Sequence, residues 1–346
     1  MKALTAGLVP LLFPLMSTAA NYSAHTAVVD GIEVLQLADA ASHTQVSIAP
    51  SIGNIAYELK VNGKNAFWLP PESLAGLKAK PALCGNPFLA PWANRLDQDA
   101  FFANGKKFRL NPDLGNLRRD GNQKPIHGLL AFSADWKVVA LEADAESAHA
   151  TSRLEFWKYP ELMAQFPFAH TIEMTYRLHA GVLEVETRIE NHAAEPMPVG
   201  IGFHPYFQLH DTPRDQWKVH LAARDHLVLS DVLIPTGERK PVDFPDPVPL
   251  AGTQLDDVFG SLVRDSSQRA TFWVEGAHEK LAVIYGPKYT VAVVYAPRQG
   301  KFICFEPMSI ITDGFNLAQA GVYKELQSIP AGGEWRESYW IAPTGF

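Results

Sequence analysis

Hydrophobic and polar residues alternate along this chain with a period of two. From Thr171 to Leu178, Ile172, Met174, Tyr176 and Leu178 fall on one side, and Thr171, Glu173, Thr175 and Arg177 on the other. After His179-Ala180-Gly181 the alternation resumes, setting Leu183, Val185, Thr187 and Ile189 against Glu184, Glu186, Arg188 and Glu190. Two such runs joined by a short glycine-containing turn predict a β-hairpin with one dry face and one wet face. Shorter runs of the same kind predict strands at Val46–Ala49, Ile55–Val61, Arg153–Trp157, Trp217–Leu221, Ala270–Val274, Leu281–Tyr285, Val291–Tyr295, Phe302–Phe305 and Trp335–Ile341. Helical periodicity is scarce, with room for a turn or two at Pro160–Phe166. The 26 prolines and 24 glycines fall mostly between the strand candidates, as turn punctuation. Many short strands with almost no helix predict an all-β antiparallel sandwich or barrel. No repeat or linker divides the chain, so one domain over residues 21–346 is expected.

Composition narrows the class. Of 346 residues, 47% are hydrophobic and 11% aromatic, enough for a large core. Charged residues make up 19% and the formal net charge is −7, which disfavours nucleic acid as a partner. At the N-terminus, Lys2 precedes the apolar stretch Ala3 to Met16 and then the small residues Ser17-Thr18-Ala19-Ala20. That order reads as a secretory signal over residues 1–20. The stretch is short for a membrane span and is broken by Pro10 and Pro14. The expectation is therefore a periplasmic or secreted protein, free of the membrane once the signal is cleaved. An oxidising compartment would permit a bridge between the two cysteines, Cys84 and Cys304, though sequence cannot supply their separation. Zinc-type cysteine spacing is absent, so no metal site is expected.

Five segments set strongly polar groups among large apolar ones: residues 86–96, 126–130, 202–207, 255–259 and 302–307. Glu306 follows the apolar run Phe302 to Phe305 and precedes a proline, which predicts the end of a buried strand. There its charged form is disfavoured and its pKa can move towards that of a working base. The alternative is a strand-end glutamate pointing at water. His204 sits between Phe203 and Pro205-Tyr206-Phe207; it is either a satisfied core histidine or a proton donor. His127 precedes Gly128, and by itself can be a plain turn residue. Asn94 and Arg95 follow Trp92, a grouping that suits hydroxyl recognition beside a ring covering sugar C–H surface. Asp256 and Asp257 can be a turn pair, a metal pair or hydroxyl acceptors. The basic run Arg118, Arg119 and Lys124 reads as a solvated loop, and His192, His210, His220 and His226 as surface or strand-edge residues.

Taken together and in this order, Asn94-Arg95, His127-Gly128, His204-Pro205-Tyr206-Phe207, the Asp256 segment and Glu306 resemble the landmarks of the aldose 1-epimerase (galactose mutarotase) family. The resemblance runs from roughly residue 30 to 345. It implies a galactose-mutarotase-like β-supersandwich with an open cleft, a free aldose as substrate, a monomer or homodimer, and anomer interconversion without cofactor or metal. Carried over position by position, it makes Glu306 the general base and His204 the general acid. Asn94, Arg95, His127 and Asp256 would hold the ring hydroxyls, with Asp256 matching the family position better than Asp257. Two departures leave the sugar open: Glu306 is followed by Pro307-Met308-Ser309, and the segment from Arg118 to Lys124 is long. Three other readings stand beside this one. They are a hexose-6-phosphate 1-epimerase using Arg118, Arg119 and Lys124, a non-catalytic carbohydrate-binding protein, and an accessory domain of a polysaccharide-degrading enzyme.

Overall fold

The computed structural model describes residues 21–70 and 72–346. The proposed signal segment, residues 1–20, lies outside the described residues. Strand accounts for 48% and helix for 8%, so the antiparallel β architecture expected from the alternation is the one observed.

Two large sheets face each other. The nine-stranded sheet runs in the order Val248–Pro249, Lys218–His220, Ala270–Glu275, Lys280–Tyr285, Glu334–Thr344, Val182–Asn191, His170–His179, Ala148–Glu155 and Lys137–Ala143. The second sheet runs Pro235–Pro241, Ala223–Leu229, Leu255–Leu262, Val291–Ala296, Ile303–Met308, Gly202–Phe203 and Phe88–Leu89, with Tyr206–Phe207 as an extra pairing on Ile303–Met308. A five-stranded meander from Tyr22 to Asn65 packs over the Lys137–Glu155 end of the first sheet. The predicted hairpin is present, with Ala180 and Gly181 at φ 48° and 74°. Positive φ at both central positions matches the right-handed twist of the strands they join.

The core is the space between the two large sheets. Phe203 of one sheet lies 4.8 Å from Tyr339 of the other, and Phe305 lies 6.2 Å from Phe272. The Tyr339 hydroxyl donates to Asn86 Oδ1 at 2.7 Å, so its buried polar end is satisfied. Burying a ring such as Phe203 stabilises the fold by about 1.5–3 kcal/mol. Ile172, Met174, Tyr176 and Leu178 are all buried, on the side the alternation assigned to the interior.

Two expectations change, and one open question is answered. Trp157 leaves the strand at Glu155 and falls in a 3-10 turn, Phe156–Lys158, which feeds the helix Pro160–Gln165. Glu306 does not end its strand, which continues through Pro307 to Met308. The physical reason is local. Ile303 and Cys304 pair with Phe207 and Tyr206, and Met308 pairs with Gly202, so residues 305–307 have no ladder partner on that side. Proline, which has no N–H to give, is tolerated beside such an interruption. Finally, Cys84 and Cys304 are both buried as free thiols.

Candidate active site

The interruption beside Pro307 is where the chemistry collects. His204 and Pro205 occupy the break between Gly202–Phe203 and Tyr206–Phe207. The His204 N–H donates to the Pro87 carbonyl at 3.1 Å and the Tyr206 N–H to Gly85 at 2.8 Å, which ties the break to the 85–88 segment. His204 Nε2 thereby lies 3.3 Å from Glu306 Oε1. The Tyr206 ring stacks on the imidazole at 4.6 Å and 8°, and His127 meets it edge-on at 5.4 Å. Glu306 Oε2, His127 Nδ1 and, beyond its own backbone, His204 Nδ1 are buried without a hydrogen-bond partner. Unsatisfied buried polar atoms cost stability, and their convergence marks a site built for a ligand.

The second wall comes from two left-handed turns laid side by side. Asn94 has φ 58°, and His127 and Gly128 both have φ 62°. Asparagine tolerates that region through local hydrogen bonding, and here its Oδ1 accepts from the Arg95 N–H and Arg95 Nη1, both at 2.9 Å. Its amide N–H groups are left for a ligand. Gly128 has no substitute: a Cβ there would lie 2.1 Å from the Ala90 carbonyl oxygen. The His127 N–H donates to the Asn94 carbonyl at 2.9 Å, which locks the two turns together. Arg95 Nε donates to Asp120 Oδ2 at 2.6 Å. Asp120 also accepts the N–H groups of Asn122 and Lys124 at 2.9 Å each.

Asp256 completes the third side. Its strand pairs it with Tyr295, and the next strand over carries Cys304 and Glu306. Neighbouring residues on a strand point to opposite faces, so Asp256 lines the cleft while Asp257 turns away to His226, 2.8 Å distant. The two aspartates therefore cannot act as one ligand pair. Together Asn94, Arg95, His127, His204, Asp256 and Glu306 border one open cleft of about 140 Å3, with Ile126, Val293 and Tyr295 as its apolar and aromatic lining.

Burial dominates the electrostatics. It pulls the His204 imidazole down to about 3, its own backbone opposing and the charges of Arg118 and Arg95 adding to the fall. Burial also pulls His127 well below the usual histidine range, with His204, Arg118 and Arg95 contributing. The same desolvation raises Glu306 well above the usual carboxylate range; Asp256 adds to this and Arg95 opposes it. Asp256 is raised too, by burial first. The site thus favours a neutral imidazole beside a protonated carboxyl, which holds the same number of protons as imidazolium beside carboxylate.

Four residues at the site carry no role in the epimerase reading of the sequence. Tyr206 was seen only as an aromatic neighbour, and Tyr295 only as a strand residue. Asp120 and Arg118 sit in the run read as a solvated loop. The structure corrects that reading, because Arg119 forks onto Asp99 at 2.8 and 3.0 Å and Lys124 reaches Asp97 at 2.8 Å, whereas Arg118 lies half-buried with its guanidinium 4.9 Å from the Phe132 ring. Pairing with Pro125 and Ile126, and through Ile126 with Arg95, draws the segment inward, a relation no hydrophobic periodicity records.

A family model described as aldose 1-epimerase matches residues 34–342. An Escherichia coli K12 protein, the uncharacterized YphB, is 25% identical over 272 residues, covering 74% of this chain and 84% of its own. A galactose mutarotase-like protein from Clostridium acetobutylicum superimposes with a TM-score of 0.83 at 19% identity, over 94% of this chain and 99% of that one. A galactose 1-epimerase from Lactobacillus acidophilus gives 0.70 at 14% identity, over 94% and 99%. At these identities the two solved structures speak for the fold.

Proposed function

The chain belongs to the aldose 1-epimerase family, and from that premise we propose that it interconverts the α and β anomers of an aldose by acid–base ring opening, with Glu306 and His204 as the proton-transfer pair. The observation that carries this reading is the 3.3 Å separation of His204 Nε2 and Glu306 Oε1 at the floor of one cleft. Mutarotation requires a proton to leave the anomeric hydroxyl and another to reach the ring oxygen, both attached to one carbon. Two groups this close can serve both oxygens.

In the ion-pair form, the Glu306 carboxylate takes the proton of the anomeric hydroxyl while the His204 imidazolium gives one to the ring oxygen. The bond from the anomeric carbon to the ring oxygen breaks, and that carbon becomes the aldehyde. The enzyme is then left with a protonated carboxyl and a neutral imidazole, the arrangement that burial favours. Rotation about the bond to the next carbon presents the other face of the carbonyl, and reclosure returns both protons. Each positioned transfer contributes typically ~10²–10⁴-fold. Arg95, fixed by Asp120 and Asn94, and the free amide of Asn94 would hold hydroxyls, with His127 and Asp256 closing round the ring.

Sequestration of Arg119 and Lys124 by aspartates weakens the phosphate-binding alternative, and an acid–base pair is more than a binding module needs. We further propose export, from Lys2, the apolar stretch and the small-residue exit; N-terminal sequencing of the protein recovered from cell fractions tests it. The function is tested by polarimetry of freshly dissolved α-glucose and α-galactose. Faster approach to the equilibrium rotation than in buffer is expected, and no acceleration with any aldose would refute the reading.

A further inference from the structure

Arg118 stands apart from the other basic residues near the cleft. Arg95, Arg119 and Lys124 each have a carboxylate partner within 2.8 Å, whereas Arg118 has none among the described residues. Its Nη1 is buried without a hydrogen-bond partner, and its guanidinium carbon lies over the Phe132 ring, 4.9 Å from the centre. A half-buried guanidinium with no charged partner among the described residues is costly, and a ligand anion would relieve that cost.

Backbone pairing says where that partner would sit. Arg119 bridges Pro125 in antiparallel fashion, and the Ile126 N–H donates to the Arg118 carbonyl at 3.0 Å, which sets Arg118 opposite Ile126. On its other side Ile126 bridges Arg95. Residues directly opposite one another in a ladder project to the same face. Arg95, Ile126 and Arg118 therefore form one row, and the first two line the cleft. The charge of Arg118 also reaches the far side of the site, where it helps to depress both His127 and His204.

We infer that Arg118 is a specificity-determining residue that takes a carboxylate carried by the sugar, making a hexuronic acid the preferred substrate class. This rests on the proposed epimerase chemistry. In that chemistry His204, with His127 beside it, faces the ring oxygen, and the carbon next to the ring oxygen is the one that bears the uronate carboxyl. One planar fork matches one carboxylate. A phosphate dianion would need further cations, and Arg119 and Lys124 are already occupied.

The experiment measures anomer exchange by NMR for glucose, glucuronate and glucose 6-phosphate, with the wild-type chain and with Arg118→Gln and Arg118→Lys. The wild type should favour glucuronate over glucose in kcat/KM. Arg118→Gln should lower that ratio ~10–100-fold, chiefly through KM on glucuronate, and Arg118→Lys should restore part of it. A wild type that turns over glucose but shows no preference for glucuronate, or prefers glucose 6-phosphate, overturns the inference while leaving the epimerase reading intact. An unchanged ratio in Arg118→Gln also overturns it. Absence of exchange with all three sugars instead sinks the epimerase reading on which the inference depends.

Discussion

Replacing Glu306 by glutamine separates the catalytic from the structural consequence of one buried carboxyl. The amide has nearly the same shape but can neither accept nor deliver the proton, so mutarotation should fall by ~10²–10⁴-fold while sugar binding survives. The effect on stability runs the other way and depends on pH. Glu306 is 2% exposed, and among the described residues its salt-bridge partner is His204, 3.3 Å away. Its folded pKa is raised, by burial above all. A carboxyl of this kind adds most to stability below the unfolded value, near 4.5, and that contribution is lost as pH rises through the folded value. Each unit of displacement corresponds to about 1.4 kcal/mol. Urea titrations of wild type and Glu306→Gln at about pH 4 and about pH 8 measure it. Groups common to both proteins cancel, and the variant should gain on the wild type as pH rises between the two conditions. A variant that keeps a tenth or more of the rate refutes the proton role. A stability difference that does not move with pH refutes the account of burial.

Three other perturbations probe the scaffold. Asp120→Asn leaves Arg95 without its charged partner, so KM should rise roughly tenfold with kcat changed less; initial rates across a substrate series decide it, and an unchanged KM would count against Asp120 as the residue that positions Arg95. His170 is buried against Phe156 at 4.3 Å and pulled down to about 4 by burial; the unfolded chain takes up its proton near 6.5 and the folded one does not, so stability falls as pH drops from 6.5 towards 4. That loss should be about 3 kcal/mol from this residue, and urea melts of His170→Gln should show it removed. Gly128→Ala combines a left-handed φ with a Cβ only 2.1 Å from the Ala90 oxygen, which should cost roughly 3 kcal/mol or more and lower Tm by ~4 °C or more in a thermal scan.

Much of this was legible in the chain because strand periodicity is a local signal. Ile172 to Leu178 carry their face assignment in their own spacing, and so do Cys304 and Glu306. The family resemblance favours Asp256 over Asp257, and only the strand itself gives the physical reason, since the two side chains leave it on opposite faces. What stayed hidden depends on pairing across long separations. Arg118 lies in a run that looks solvated until residues 125–127 and Arg95 are laid beside it. Asp120 gains its role from a residue 25 positions earlier. The first strand, Tyr22–Val29, lies at a sheet edge and exposes Val28 at 72%, so its own residues offer no clean apolar alternation to read. The helices Leu74–Ala79 and Gly314–Gln319 are too short to show a period.

The break in the sheet at His204 also makes the catalytic spacing a matter of counting. Because the pairs Gly202–Met308 and Tyr206–Cys304 frame it, the reach from imidazole to carboxyl is set by the number of residues between two fixed rungs. Strand register moves in whole residues, and a shift of one turns every side chain to the opposite face. A side-chain substitution around this cleft leaves that spacing in place, but an inserted or deleted residue between 202 and 206 is an all-or-none event. Loops elsewhere on the molecule can grow by increments; this one is locked in length.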